Sequence, residues 1–429
     1  MKKLIRKQII QFLIIKKIVS TNNLYRIIFE IKRIRKILPK KIVFKISIKI
    51  IGLCIRIFFL PFTTIFHLYG YRYITAFTDR IGHLALEPDC LLKEQALGKI
   101  RKKKWILLSP NHRTANNHLV SYWSNYIIVI RNPIICFFVK SMGFGCLMRT
   151  DISHYIRRES NAQKAYTVFA EWDDRPPLLK LSQEDEIWGY EMLLKLGVPK
   201  EAWFVCIHSR EGGFSPIDEE IHTYRNSNIL HYTDAVKEII NRGGWVIRMG
   251  DSSMQKLSSI NKVIDYAHHQ LKSDRLDVFL CAKTRFFLGN TSGIAFLSSV
   301  FGVPCALANM IPVAVRGFNS FDIYISKLLC KSDTNKILRL NEVFQNGIAN
   351  LIYSNQYLFN RLDVIENSNE DIYLLAKEMM DRLEGNFYET MDDIENQKQI
   401  SLQYQPTDYS FGSLSKMSTL FLRAHNELK

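Results

Sequence analysis

The chain has 429 residues, enough for two or three domains with sizeable hydrophobic cores, which excludes a peptide or a disulfide-stapled miniprotein. Hydrophobic residues at 47%, charged residues at 23%, and only 20 Gly with 12 Pro exclude a fibrous, low-complexity or globally disordered protein. The formal charge of +17 belongs to one end: residues 1–60 carry 16 Lys/Arg against the single Glu30, whereas the other 369 residues carry 42 Lys/Arg against 40 Asp/Glu.

The basic arm comes first. Over 24–38 the apolar residues Ile27, Ile31, Ile34 and Leu38 recur at helical spacing while Arg26, Lys32, Arg33 and Lys36 fall off that line, which predicts a basic amphipathic helix. After Pro39 a second helical segment sets Val43, Ile46, Ile50, Leu53, Ile57 and Leu60 on one side and Lys45, Lys49, Gly52 and Arg56 in a narrow stripe, with Pro61 expected to stop or kink it. Residues 50–69 approach the roughly 20 apolar residues that a bilayer requires, but Arg56, Pro61 and His67 oppose a clean span. An anionic membrane surface suits residues 1–70 best, because apolar faces are buried and each lysine near lipid phosphate contributes about 1 kcal/mol. Nucleic acid fits poorly, since its arms interleave cations with Gly, Ser, Asn or stacking aromatics and not with isoleucine. A solvated basic face packed on the body is the third reading.

Lys16 and Lys17 break the first apolar runs and no small-residue cleavage site follows, so no cleavable signal peptide is expected. Eight scattered cysteines (Cys54, Cys90, Cys136, Cys146, Cys206, Cys281, Cys305 and Cys330), without a C-x-x-C pair, predict reduced thiols in a cytosolic body. The expected location is peripheral, on the cytoplasmic face of an inner membrane, with a single-pass N-terminal anchor as the alternative.

From residue 71 the pattern alternates short strands and helices. Runs at 73–77, 105–109, 126–130 and 134–139 read as strands of a first α/β domain over 71–200, which closes with a helix over 183–195. A second α/β domain over 201–385 then begins. Its elements are a strand at 202–208, a helix at 232–240, strands at 245–249 and 285–288, a helix at 294–300 and a strand at 304–308. Residues 386–429 read as a polar, partly acidic linker followed by a helix that returns to the first domain.

Ligands of parallel sheets sit beyond the carboxyl ends of the strands, where His208-Ser209-Arg210, Gly250-Asp251 and Gly289-Asn290-Thr291-Ser292-Gly293 all fall. The last of these is a glycine-rich turn entering a helix, which aims free N–H groups and the positive helix end at one point; Thr291 and Ser292 add hydroxyl donors. The same residues also describe an ordinary N-cap. Arg210 supplies a permanently charged, bidentate partner for a diphosphate, and His208 is either its support or a core histidine. No P-loop, no dinucleotide fingerprint and no D-x-D occur. His112, His118, His268 and His269 lack the spacing that would complete a metal site, so no metal and no cofactor are expected. The E-x7-E spacing of Glu211 and Glu219 is read as chance.

Taken together, His208-Ser209-Arg210, Asp277 in Leu276-Asp277-Val278-Phe279-Leu280, and Phe286 to Gly293 followed by Phe301-Gly302-Val303-Pro304 resemble the donor domain of two-domain, metal-independent GT-B glycosyltransferases. The H-x-R element is similar to that of the fucosyltransferase-like branch, although Glu211-Gly212-Gly213 replaces its Gly-Asp ending, so a fucosyl donor is not implied. Arg80-Ile-Gly-His83, Tyr224-Arg-Asn, Gly244 to Asp251 and Asp322-Ile-Tyr-Ile-Ser-Lys327 further resemble a glycosyltransferase family of bacterial surface-polysaccharide clusters over roughly residues 71–345.

The resemblance implies two Rossmann-like domains facing a cleft and an inverting transfer from a nucleotide-sugar to a lipid-linked or glycan acceptor, with the nucleotide-sugar as a substrate. It implies donor binding by His208, Arg210, Tyr224, Arg225, Asp251, Asp277, Asn290, Thr291, Ser292 and Gly293, with Asp251 and Asp277 toward the ribose or base and the Tyr224 loop closing over the donor. Arg80, Gly82 and His83 would face the acceptor, His83 as general base or as a helix-capping histidine. The alternatives are a sugar-nucleotide epimerase of the same fold and a non-catalytic membrane-associated nucleotide- or glycan-binding protein.

Overall fold

The computed structural model describes residues 40–142, 148–157, 163–213, 219 and 221–428. The chain forms two compact units, one of residues up to 69 with 137–148 and the other of the remainder. The basic helix expected over 24–38 lies outside the described residues.

In the first unit, helix α1 (Lys40–Leu68) runs through Pro61 where a stop or kink was expected. A proline removes one intrahelical bond, a loss that a helix of 29 residues absorbs, and the hydroxyls of Thr63 and Thr64 both donate to the Leu60 carbonyl at 2.9 Å. Ile48, Ile51, Phe58, Phe62, Ile65 and Tyr69 are exposed at helical spacing and form an apolar stripe. That stripe is a different line from the expected Ile50, Ile57 and Leu60, which are half-buried. Among the residues whose side chains are described, no helix is long and apolar enough to cross a membrane.

The second unit contains two parallel sheets. The first is built from β1 (Tyr71–Thr75), α2 (Ile81–Ala96), β2 (Lys104–Leu108), α3 (Asn117–Trp123), β3 (Ile128–Ile130) and β4 (Arg149–Asp151), in the strand order β3-β2-β1-β4; α4 (Pro133–Met142), between β3 and β4, begins in this unit and belongs to the first unit from residue 137 on. Segment 134–139, expected as a strand, is helical. Pro133 occupies the first turn and the Asn132 side chain accepts from the N–H groups of Ile134 and Ile135, so capping chemistry overrides an apolar run with no period of its own. Helix α2 carries Pro88, which denies the Leu84 carbonyl its usual partner; the Trp123 indole donates to that oxygen at 2.9 Å and repairs the loss. Helices α5 (Lys164–Trp172) and α6 (Gln183–Lys195) follow, the latter over the expected residues. Ser182 caps α6 and three acids stand in its first turn.

The second sheet begins with β5 (Phe204–His208), α7 (Thr233–Asn241), β6 (Trp245–Arg248), β7 (Val263–Ile264) and α8 (Asp274–Lys283). It continues through β8 (Phe287–Gly289), α9 (Gly293–Val300), β9 (Cys305–Met310) and β10 (Ile323–Ser326). Strands β11 (Leu328–Lys331) and β12 (Leu362–Ile365) form a separate antiparallel pair, with α10 (Leu340–Gln345) and α11 (Ser354–Phe359) between them. The chain ends in α12 (Asn369–Leu383), α13 (Met391–Leu402), β13 (Lys416–Met417) and α14 (Thr419–Ala424). The order is β13-β10-β9-β8-β5-β6-β7 and every pairing is parallel. All five residues of β5 and all six of β9 are buried, as a sheet covered on both faces requires.

The C-terminal region departs from expectation twice. The polar stretch read as a linker holds α13, capped by Thr390 and anchored where Arg423 grips Asp393, an ion pair that holds this carboxyl well below its usual range. The final helix, expected to return to the first domain, packs on α12 beside the second sheet. Fully buried Glu378 on α12 accepts from the Ser418 hydroxyl at 2.7 Å and the Leu420 N–H at 2.9 Å, which fastens the start of α14.

One close approach tests the packing of α6 on α8. A Cβ built on Gly189 would lie 2.0 Å from the fully buried Phe279 ring. Alanine gains about 1 kcal/mol of helix propensity, but overpacking costs about 1–3 kcal/mol, so Gly189→Ala should lower the urea midpoint at unchanged m-value. An unchanged midpoint would show that Phe279 has room to move.

Candidate functional site

The strand order of each sheet reverses once. In the second sheet the reversal falls between β5 and β8, and in the first between β1 and β4. Crevices at such reversals are where parallel α/β sheets bind ligands. The chain leaving β5 is Ser209-Arg210, and the chain leaving β8 is Asn290 to Gly293, so the two strongest sequence motifs occupy one reversal.

Asn290 knits this region together. It is fully buried; its Oδ1 accepts from the Arg210 N–H at 3.1 Å, and its Nδ2 donates to the Arg225 carbonyl at 3.2 Å and the Ser227 hydroxyl at 3.0 Å. Arg210 donates through Nη1 to Asn226 Oδ1 and lies 3.7 Å from Glu219. Arg225 donates to the Thr291 carbonyl at 2.6 Å, holding the glycine-rich turn from behind. A third cation joins them: Lys327, 3% exposed, donates to the Asn226 carbonyl and stands 3.8 Å from Glu366. Burial pushes its amine down to about 8; Glu366 pulls it back up, and Arg210 adds to the depression. Lys327 stands just past β10, as Arg210 stands just past β5. A cation directly following an apolar strand is therefore the signal that would have singled it out.

Several expected donor residues have other tasks. His208 is buried and its Nδ1 donates to the Met249 carbonyl at 3.2 Å; burial pushes the imidazole down to about 4, so it is a neutral support. The Tyr224 hydroxyl donates to the Ile352 carbonyl at 2.7 Å and its ring packs on Tyr357. The Thr291 hydroxyl, expected as a phosphate donor, bonds both the N–H and the carbonyl of Ile311 at 3.3 Å. Ser292 is the N-cap of α9 but makes no side-chain capping bond. Asp251 follows β6 and accepts from the Ser253 N–H at 2.8 Å. Asp277 lies in the first turn of α8 and pairs with Lys272 at 2.9 Å, where burial raises its carboxyl. Glu211 is bound at 2.9 Å to the fully buried Arg248, which also pairs with Asp265 at 3.0 Å.

On the first sheet, the chain leaving β1 enters α2 with the exposed Arg80 at its N-cap position. A Cβ on Gly82 would lie 2.8 Å from the Cα of Gly293, and one on Gly293 would lie 2.9 Å from the Gly82 nitrogen. The N-termini of α2 and α9 therefore meet backbone to backbone. His83, the next residue, is 21% exposed; its Nδ1 is 2.6 Å from Oε1 of fully buried Glu87, and its ring meets the edge of Phe77 at 5.0 Å. Arg80, Gly82 and His83 thus stand beside the glycine-rich turn, although about 200 residues separate them in sequence. Among the described residues no three His, Cys, Asp or Glu side chains converge as a metal centre would need.

The sequence matches no family model and no curated protein. Solved structures that it resembles include the glycosyl transferase family 9 protein of Veillonella parvula, at 12% identity over 70% of this chain and 78% of that one, with a TM-score of 0.33. A second is the E. coli ADP-heptose lps heptosyltransferase II, at 13% identity over 55% and 84% of the two chains, with a TM-score of 0.38. A third is the dodecameric iron-containing heptosyltransferase TibC in complex with ADP-D-β-D-heptose, at 11% identity over 56% and 57%, with a TM-score of 0.31. These likenesses are remote, and the functional reading rests on the placement of side chains and helix ends.

The glycine contact generates a direct expectation. An added methyl group would meet backbone and not a flexible side-chain end, so Gly82→Ala should lose about 1–3 kcal/mol of stability in chemical denaturation. An unchanged value would mean that the helix ends are free to slide apart.

Proposed function

We propose that the protein is a GT-B-type glycosyltransferase of bacterial surface-glycan synthesis, moving a sugar from a nucleotide-sugar to a lipid-linked or glycan acceptor with inversion and without a metal. The observation that carries this reading is the meeting of two sheet reversals at Gly82 and Gly293, one bringing three cations and a helix N-terminus, the other a solvent-reaching histidine. Free N–H groups at the start of α9 and the unused Ser292 hydroxyl suit the diphosphate, and Arg210 and Lys327 oppose the charge that grows on it as the sugar leaves. Such fixed cations and dipoles act where water is excluded, so they need no reorganisation during the reaction. His83 suits the role of general base, taking the proton of the acceptor hydroxyl as that oxygen attacks the anomeric carbon and the bond to the diphosphate breaks.

Turnover separates the readings. A panel of ADP-, GDP-, UDP- and CMP-sugars with a lipid-linked acceptor, with and without EDTA, should yield a glycan product and free nucleotide that survive chelation, and Arg210→Ala should abolish both while the protein stays folded. An interconverted donor without transfer would identify an epimerase. Donor binding without turnover would leave a binding protein, and loss on chelation restored by magnesium would overturn the metal-free mechanism.

The basic arm and the apolar stripe of α1 suit an anionic membrane surface. Ile134, Ile135, Phe137 and Phe138 of α4 are also exposed. The protein should float with vesicles containing acidic lipid and lose much of that binding in high salt, where screening shortens the reach of each lysine. Deletion of residues 1–40 should release it while donor hydrolysis persists. A truncated protein that resists salt and alkali would mean instead that residues 50–69 span the bilayer.

A further inference from the structure

Helix α2 buries three carboxylates, and two of them have cations. Asp89 pairs with buried Lys93 at 2.7 Å, and Glu94 pairs with Lys164 at 2.5 Å and accepts from the Tyr155 hydroxyl at 2.5 Å. Glu87 differs. It is fully buried, its Oε2 has no hydrogen-bond partner among the described residues, its Oε1 meets Nδ1 of His83, one helical turn earlier, and the Phe77 backbone N–H also faces the carboxylate. A buried carboxylate costs several kcal/mol unless it is paired, so a purely structural site would favour a permanent cation or an apolar side chain. Here the partner is the one side chain of the group that reaches solvent beside the glycine-rich turn and that can gain and lose a proton.

We infer that Glu87 is a positioning residue for His83, fixing the proton on Nδ1 so that Nε2 presents its lone pair to the acceptor hydroxyl, and then balancing the imidazolium that forms. The inference rests on the proposed transferase reading. The acceptor O–H proton passes to Nε2, the oxygen bonds the anomeric carbon, and the electrons of the broken bond leave on the nucleoside diphosphate. Glu87 keeps its charge throughout and accepts the Nδ1–H bond. The other groups facing Glu87 are the Phe77 backbone N–H, the Asp151 carboxylate at the end of β4 and the Cys90 thiol on α2. None of them carries a compensating positive charge. Burial raises the Glu87 carboxyl, and the His83 bond lowers it in part.

The test uses the full-length protein and three variants. Glu87→Gln retains size and a hydrogen bond but cannot balance an imidazolium; it should lower kcat about 10²- to 10⁴-fold, leave the donor KM unchanged and move the acid limb of the kcat profile to lower pH. Glu87→Asp, which keeps the charge, should recover part of the rate. Independently of activity, ¹⁵N-histidine spectra should show the neutral His83 ring protonated at Nδ1, with that signal assigned by its loss in His83→Ala. The two ideas fail separately. An active His83→Ala enzyme would overturn the general-base reading itself. An inactive His83→Ala enzyme alongside a Glu87→Gln enzyme with normal kcat and pH profile, or wild-type spectra with the proton on Nε2, would overturn the role of Glu87 alone.

Discussion

The backbone contact between Gly82 and Gly293 is the constraint on which the site depends. Helix α2 leaves the reversal of the first sheet and α9 leaves the reversal of the second, and each begins so close to the other that a Cβ on either glycine would meet main-chain atoms within 3 Å. Two helix N-termini meeting in this way bring together partial positive charges that repel, a cost that an anion placed between or beside them reverses. The contact thus serves packing and chemistry at once. It sets the distance between the two sheets' loops, and it concentrates unpaired N–H groups at one place. The ring of Phe296 on α9 extends the contact, because a Cβ on Gly82 would also lie 2.9 Å from its edge, so the first turn of each helix is held on more than one side.

Around that contact the polar network holds its charges before any ligand needs them. Arg210, Arg225 and Lys327 would repel one another in a low-dielectric setting, yet each is held by a carbonyl, amide or carboxylate from a neighbouring loop: Asn226 serves both Arg210 and Lys327, and Thr291 serves Arg225. Glu219 and Glu366 offset part of the charge at 3.7 Å and 3.8 Å, so the cluster keeps a positive excess. Asn290, fully buried, is the hub; its amide has one acceptor and two donor hydrogens, and all find partners in the connection between β5 and α7. Rigidity of this kind is what electrostatic stabilisation requires, since dipoles that must first turn toward a developing charge contribute little.

Much of this was legible from residue order. Alternating strands and helices, the helix over 183–195 with its Ser182 cap, and the placement of Arg210 and the glycine-rich turn at strand ends all follow from periodicity and capping. What escaped was decided by partners that periodicity does not register. The run 134–139 is apolar at every position and so has no period, and only the Asn132 cap distinguishes helix from strand. Strand β13 is two residues long and exists because β10 accepts it. The Thr291 hydroxyl looks like a phosphate donor until Ile311 takes it, and of the readings open for His208 burial favours the neutral core histidine. The pair His83 and Glu87, by contrast, was open to reading, because residues four apart on a helix share a face; its meaning needed the burial of one partner and the exposure of the other.

The distribution of charge would let the proposed enzyme separate two tasks that a uniformly basic protein would confuse. The arm holds nearly all of the excess, interleaved with isoleucine and phenylalanine, while the body is close to neutral. A body with a broad positive surface would collect polyanions without discrimination, because long-range attraction depends on net charge more than on shape. Here Arg210 and Lys327 are fixed within hydrogen-bond distance of neighbouring loops. On the proposed reading their selectivity would come from geometry, whereas the arm's attraction would be diffuse and sensitive to salt. On the proposed reading, recruitment to a surface and recognition of a small anionic substrate would be tuned independently: a substitution in the arm would change how often the protein meets its surface, and one at Arg210 or Lys327 would change what the site holds once there.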